Sequence, residues 1–144
     1  MATETIVLDN SVNSRLLWPD VESPANNRYA RKVIQRAARG SELHVPTIWH
    51  YEVANVAATL VRKGHVSRAS AMSYLRALAA LPIRTDTASH TNATVATFAL
   101  SAELGLSVYD AAYVELALRL SSALATNDKQ LRDAARKAGA ALFD

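Results

Sequence analysis

The strongest constraint on the fold is an alternation of short apolar segments with longer amphipathic ones. Residues 10–17, 26–39, 47–63, 67–80, 88–104, 110–120 and 129–138 carry helical patterns. Brief β-branched or aliphatic runs that predict strands occupy residues 5–8, 43–45, 82–85, 123–126 and 140–143. Such alternation is typical of helices packed on a parallel sheet. We therefore predict a three-layer α/β sandwich with a mainly parallel central sheet of about five short strands.

The chain length fits one domain, and we expect residues 1–144 to form a single domain without a linker or an internal repeat. The sequence contains no cysteine, which excludes disulfides, thiolate catalysis and cysteine-based zinc sites. It also shows no apolar run long enough for a signal peptide or a membrane span. These features lead us to expect a cytoplasmic protein that does not associate with membranes.

The glycines argue against a nucleotide-binding loop. All four of them, at positions 40, 64, 105 and 139, follow an expected helix end, where a left-handed residue is favoured. None is left to cradle a phosphate, and the Walker A, GxGxxG and GxSxG patterns are absent. The formal net charge of +3 permits an anionic partner without requiring one.

Four of the thirteen acidic residues lie in unusually apolar surroundings. Asp9 follows the strand segment IVL, and Asp128 comes after the strand segment ALAT. Glu52 lies in WHYEVANV, near the start of a helix, and Asp110 lies in LSVYDAAY at another helix start. Ligands of open α/β sheets bind beyond the carboxyl ends of the strands. We therefore expect the four carboxylates to meet at that edge.

Taken singly, each carboxylate has an ordinary structural explanation. An aspartate before a helix is commonly an N-cap, which would account for Asp9, Asp110 or Asp128. A buried salt bridge would account for Glu52. Taken together, the four carboxylates need protons or cations to offset their repulsion, because two unit charges 4 Å apart repel by about 4 kcal/mol at an effective dielectric of 20. Hard carboxylate oxygens suit Mg²⁺ or Mn²⁺, and such ions activate water for phosphodiester hydrolysis.

The segments IVLDNSV, WHYEVANVAATL, GLSVYDAAYVELALR and LATNDKQL resemble the successive signatures of VapC-type PIN-domain toxins. The resemblance extends over nearly the whole chain. It implies a PIN-like fold, endoribonuclease activity that depends on Mg²⁺ or Mn²⁺, a homodimer, and inhibition by a small cognate antitoxin. It assigns the catalytic, metal-binding carboxylates to Asp9, Glu52, Asp110 and Asp128.

The same resemblance implies supporting and substrate-binding residues. The family's small hydroxyl residues fall on Ser11 and Thr126, which we expect to contact the metal ligands rather than the metal. After DNSV the chain departs from the family pattern, and Arg15 stands where a lysine is common. Helical spacing aligns three basic residues just beyond Asp128, as a solvated face or as contacts to the RNA backbone. These three residues are Lys129, Arg132 and Arg136.

A carboxylate site that needs cations also accepts a guanidinium. We therefore predict that an antitoxin segment lies along the helices at residues 47–63 and 67–80 and directs an arginine or lysine at the four carboxylates. Its apolar part is expected to contact Val53, Val56, Ala57 and Leu60. Some of these four residues must instead serve the core or a dimer contact.

Three other interpretations remain open. A phosphotransfer receiver domain would use Asp86 and Lys129, but it needs an acidic pair after the first strand. A haloacid-dehalogenase-like phosphatase needs Asp-x-Asp there, where this chain has Asp9, Asn10 and Ser11. A PIN-like module that binds RNA or a partner without cleaving RNA is the alternative within the same fold.

Overall fold

Four short parallel strands form the centre of the computed structural model, which describes residues 2–144. The strands are β1 (Thr5–Leu8), β2 (Glu42–Val45), β3 (Ile83–Thr85) and β4 (Ala123–Ala125). Their order across the sheet is β3-β2-β1-β4. The central strand β1 is deeply buried, and its residues Ile6, Val7 and Leu8 have no exposed surface.

Helices flank this sheet, which confirms the predicted α/β class. The first four are α1 (Asn10–Leu17), α2 (Pro24–Ala38), α3 (Ile48–Arg62) and α4 (Arg68–Ala79). The others are α5 (Ser89–Asn92), α6 (Phe98–Leu104), α7 (Val108–Leu120) and α8 (Lys129–Ala138). Among residues 2–144, no helix has the length and apolar character needed to span a bilayer.

The order of the strands brings two chain segments together at one edge. The chain runs outward from β1 to β2 and β3, and then returns to the other side of β1 as β4. The crevice beyond the carboxyl ends of such neighbouring strands is where ligands bind in open α/β sheets. Asp9 follows β1 directly, and Asp128 follows β4 after two residues.

The fifth predicted strand, at residues 140–143, is reduced to one parallel bridge between Leu124 and Leu142. Strand β4 has only three residues and offers few backbone partners. Beyond the bridge, side chains of α2 bind the carbonyls that a longer ladder would use: Tyr29 donates to the carbonyl of Phe143 at 2.6 Å. The sheet therefore has four strands rather than about five.

The helix predicted over residues 88–104 is divided into three parts. Between α5 and α6 lies a π-helical segment, Ala93–Thr97. The side chains of Thr91 and Asn92 both donate to the carbonyl of Ala88 and compete with the regular helical bonds. These polar residues, with β-branched neighbours that have low helix propensity, explain the interruption.

Candidate active site

Asp9 lies at the crevice between β1 and β4 and is 5% exposed. It occupies the N-cap position of α1 but accepts no capping hydrogen bond. Its Oδ2 instead accepts hydrogen bonds from Ser11 Oγ at 2.5 Å and from Thr126 Oγ1 at 2.7 Å. Burial raises the pKa of Asp9; the two hydroxyls oppose that rise, and the charges of Asp110 and Asp128 add to it.

The two hydroxyl residues connect Asp9 to the loop after β4. Ser11 Oγ accepts a 2.9 Å hydrogen bond from the backbone N–H of Asn127. Thr126 Oγ1 accepts one of 3.0 Å from the backbone N–H of Asp128. The carboxylate of Asp9 is therefore held from both sides of the crevice, and its position depends on contacts that join β1 to β4.

Asp128 is exposed and serves as the N-cap of α8, because its Oδ1 accepts a 3.0 Å hydrogen bond from the backbone N–H of Leu131. The N-cap interpretation is therefore right for this aspartate. One oxygen caps the helix, and Oδ2 receives no hydrogen bond from the described residues. The capping bond fixes the carboxylate beside the crevice.

Asp110 lies in the first turn of α7 and is not its cap. The helix begins at Val108, two residues earlier than predicted, and Ser107 is the N-cap. The Ser107 hydroxyl accepts a 3.1 Å hydrogen bond from the backbone N–H of Asp110 and leaves the Asp110 carboxylate without a capping role. Partial burial raises the pKa of Asp110 and the Asp128 charge adds to the rise, while Ser107 opposes it.

Glu52 is half-buried on α3 and accepts a 3.0 Å hydrogen bond from the Tyr113 hydroxyl of α7. Burial raises the pKa of Glu52 to about 7, against the lowering effect of Tyr113, and the charges of Asp9 and Asp110 raise it further. Tyr113 has no exposed surface, and its own pKa is raised by burial and by these carboxylates. It therefore acts as a neutral donor.

The sequence reasoning did not single out Tyr113. The sequence does contain a signal for Tyr113, because this residue follows Asp110 by three positions in YDAAY and so shares a helix face with that carboxylate.

Among the described residues, none of the carboxylates of Asp9, Glu52, Asp110 and Asp128 is paired with a positive side chain. The charges of Asp110 and Asp128 help to raise the pKa of Asp9, and the charges of Asp9 and Asp110 help to raise that of Glu52, so these carboxylates lie near one another. The buried salt bridge considered for Glu52 is thus not formed. Within residues 2–144, no three His, Cys, Asp or Glu side chains stand in a ready-made metal-binding group.

The basic residues predicted to contact RNA differ in their surroundings. Lys129 is exposed beside Asp128, and Arg136 is exposed and pairs with Asp133 at 3.3 Å. Arg132 is engaged within the protein, because it donates to the carbonyl of Thr126 and to the carboxylate of Asp144. Arg15 donates from Nη1 to the carbonyl of Trp18 at 3.4 Å, and its Nε is buried without a partner among the described atoms.

Asp86, considered above as a phosphate acceptor, lies just after β3 in an ion pair. Arg119 on α7 binds its carboxylate at 2.5 Å and binds Glu115 at 2.7 Å. Burial by itself would raise the pKa of Asp86, but hydrogen bonds from Arg119 and Ser89 outweigh it and lower that pKa. This pairing ties β3 to α7 and stands apart from the four carboxylates.

Comparison with known proteins identifies the fold family. The PIN domain family matches residues 6–137 of the chain. The chain therefore belongs to the PIN-domain family. It is 31% identical over 128 residues to a protein of Pyrobaculum aerophilum named Ribonuclease VapC3, and the match covers 89% of this chain and 92% of that relative.

A solved structure agrees with this assignment at the level of the fold. The crystal structure of a protein from Pyrobaculum aerophilum superposes with a TM-score of 0.63 at 24% identity, over 93% of this chain and 87% of that one. The resemblance found in the sequence segments is confirmed for the family and for the fold.

Proposed function

We propose that the chain is an endoribonuclease that depends on Mg²⁺ or Mn²⁺ and acts as the toxin of a toxin–antitoxin pair. One observation supports this proposal: Asp9, Glu52, Asp110 and Asp128 influence a shared electrostatic environment in a PIN-domain fold, and among the described residues none of them is in an ion pair. The name of the relative, Ribonuclease VapC3, supports RNA as the substrate.

The donor atoms suit a hard divalent cation. Oδ1 of Asp9 and Oδ2 of Asp128 receive no hydrogen bond from the described residues, so each has an oxygen free to bind an ion. Carboxylate oxygens without cysteine or histidine neighbours favour Mg²⁺ or Mn²⁺. We propose that Asp9, Glu52, Asp110 and Asp128 bind such an ion.

When bound, a divalent ion lowers the pKa of water and neutralises charge on a phosphodiester. Other residues of the chain position the proposed ligands of this ion. Ser11 and Thr126 hold Asp9 in place, Tyr113 holds Glu52, and the α8 cap holds Asp128. Such contacts, made behind metal ligands, fix their orientation and reduce the cost of assembling the site.

RNA binding is assigned to exposed cations near Asp128. Lys129 and Arg136 are exposed on α8, which begins at the crevice. Their charges can contact phosphates without losing a buried partner. Arg132 and Arg15 would have to give up contacts within the protein, so we assign them smaller contributions to RNA affinity.

We propose that the antitoxin binds along α3 and α4, where a groove of about 350 Å³ lies between the two helices. Val53, at 5% exposure, belongs to the core, whereas the buried Ala57 lines the groove, and Val56 and Leu60 are half-buried. The groove offers additional small apolar contacts. Its lining includes Ala54, Ala58, Val61, Ala71, Met72 and Leu75.

A second copy of the chain is proposed to cover an apolar groove of about 320 Å³ between α3, α5 and α7. Tyr51, Val108 and Tyr109 line it and are exposed, and Val95 and Phe98 in the adjoining segment are also exposed. Monomeric proteins rarely expose contiguous apolar patches of large area. Sedimentation should therefore show a dimer that Phe98→Glu converts to a monomer. A wild-type chain that is monomeric at micromolar concentration would contradict this assignment.

The nuclease proposal is tested by cleavage of a fluorogenic RNA. The purified chain should cleave it with Mg²⁺ or Mn²⁺ and lose the activity in a chelator. Asp110→Asn should abolish cleavage, because it removes a proposed metal ligand. It should keep the fold and RNA binding, because Ser107 still caps helix α7. RNA binding without cleavage by the wild type under all metal conditions would instead establish a binding module.

The toxin role needs a separate test with the protein encoded beside this gene. That protein should bind the chain and inhibit cleavage, and inhibition should weaken as Mg²⁺ rises if its cation competes at the carboxylates. A neighbouring product that does not bind would contradict the toxin role and leave the nuclease proposal standing.

A further inference from the structure

A buried polar network joins α1, α3 and α4 below the carboxylate crevice. At its centre is Asn13, which has no exposed surface. Its Nδ2 donates to Asn10 Oδ1 and to Tyr74 Oη, both at 2.8 Å, and its Oδ1 accepts from Trp49 Nε1 at 3.1 Å. The three partners are between 4% and 8% exposed.

The chemistry of the partners fixes the orientation of the Asn13 amide. An indole N–H can only donate, so the amide oxygen must face Trp49. Both amide hydrogens then face the oxygens of Asn10 and Tyr74. The network is satisfied around Asn13, and such a buried network favours one arrangement of the helices over rotated alternatives. An aliphatic contact at the same place would tolerate more rotation.

The bond between Asn13 and Trp49 lies one helical turn from the carboxylates. Asn13 follows Asp9 by four residues on α1, so the two are roughly 6 Å apart along the axis. Glu52 follows Trp49 by three residues on α3, on the same side of that helix. A rotation or shift of α3 that broke the bond would therefore move Glu52 relative to Asp9.

We propose that Asn13 is a positioning residue, which fixes α3 against α1 through Trp49 and thereby holds Glu52 opposite Asp9. This inference rests on the proposed function, because it gives the Asp9–Glu52 separation a role in binding the divalent ion. Tyr113 restrains Glu52 from the side of α7, and the Asn13–Trp49 bond restrains the helix that carries it.

The test compares Mn²⁺ binding, measured from the paramagnetic resonance of free Mn²⁺, in the metal-free wild type and in designed variants. Asn13→Leu and Trp49→Phe remove the bond from opposite sides, and each should weaken Mn²⁺ binding by about 10- to 100-fold. The double variant should bind no more weakly than the weaker single variant, because both changes remove one interaction. If Asn13→Leu does not fold, the Mn²⁺ affinity of Trp49→Phe alone tests the inference.

Tyr74→Phe is the matched control, since it removes one hydrogen bond of Asn13 and keeps the bond to Trp49. It should lower the melting temperature and leave Mn²⁺ affinity close to that of the wild type. Wild-type Mn²⁺ affinity in Asn13→Leu and Trp49→Phe, or an equal loss of Mn²⁺ affinity in Tyr74→Phe, would overturn this inference and leave the proposed function standing. A wild type that does not bind Mn²⁺ would overturn the proposed function, and this inference with it.

Discussion

The Tyr113 hydroxyl donates a 3.0 Å hydrogen bond to Oε1 of Glu52 and so ties helix α7 to helix α3. Tyr113→Phe should keep the fold, at a cost of about 1 kcal/mol in the free energy of unfolding. It should weaken metal-dependent cleavage by about tenfold or more, because Glu52 loses the donor that orients it. Cleavage measured against Mn²⁺ concentration, with urea unfolding alongside, checks both parts.

The control for Tyr113→Phe is Tyr51→Phe, which removes the hydroxyl of an exposed tyrosine next to Glu52 on α3. This variant should keep the Mn²⁺ dependence of the wild type. Equal effects of the two substitutions would show that the contact to Glu52 has no special role.

Asp9→Asn should make the metal-free protein as stable as the wild type or more stable. The folded-state pKa of Asp9 is raised by burial, so ionisation at neutral pH costs more in the folded chain than in the unfolded chain. The amide removes that cost and its oxygen still accepts from Ser11 and Thr126. Thermal unfolding in a chelator at neutral pH measures the effect, with surface variant Asp133→Asn as control.

The same Asp9→Asn substitution should reduce RNA cleavage by at least about 100-fold, because a ligand of the ion that stabilises the transition state is lost. The combination of retained stability and lost activity distinguishes a metal ligand from a structural residue. A variant that is clearly less stable and still cleaves RNA would contradict the assignment of Asp9.

Asp86 provides a prediction for the pH dependence of stability. Its pKa is lowered in the folded chain because Arg119 and Ser89 outweigh the effect of burial. The stabilisation is therefore complete above the unfolded pKa of about 3.9 and is lost as pH falls through the folded value. The melting temperature of Asp86→Asn should lie below that of the wild type at pH 7 and approach it as pH falls below the unfolded pKa and through the lowered folded pKa. A difference that stays the same throughout this acid titration would show that ionisation of Asp86 does not stabilise the fold.

RNA affinity should depend on the exposed cations of α8. In an Asp110→Asn background, which prevents cleavage, Lys129→Ala or Arg136→Ala should weaken binding to all sequences and reduce the salt slope by about 1. Arg76→Ala on α4 removes the same charge from another exposed position and should leave the slope unchanged. Binding titrations at several salt concentrations check this. Slopes equal to that of the wild type in both α8 variants would show that the basic residues of α8 form only a solvated face.

The periodicity of the sequence was sufficient to predict most of the fold. Helices α1 and α8 and strand β1 lie where their patterns placed them, because clear apolar periodicity and local end signals agree there. The convergence of Asp9 and Asp128 follows from a rule of parallel sheets that needs only the order of the elements. Their role in metal binding stays a prediction.

Other features depend on contacts between distant segments, which periodicity does not encode. The Tyr113–Glu52 and Asn13–Trp49 bonds join residues 61 and 36 positions apart. The loss of the fifth strand likewise follows from Tyr29 of α2 binding the chain end. The π-helical interruption arose from local competition by polar side chains, which the helical pattern over residues 88–104 concealed.

The position of a bound ion shows directly whether Asp9, Glu52, Asp110 and Asp128 form a metal site. Crystals of the metal-free protein soaked in Mn²⁺ should give an anomalous-scattering peak at the carboxyl ends of β1 and β4, within about 2.0–2.6 Å of carboxylate oxygens. We expect Asp9 and Asp110 to be among the ligands and the peak to be absent from Asp9→Asn crystals. A peak elsewhere on the molecule, or none among the four carboxylates at millimolar Mn²⁺, would contradict it.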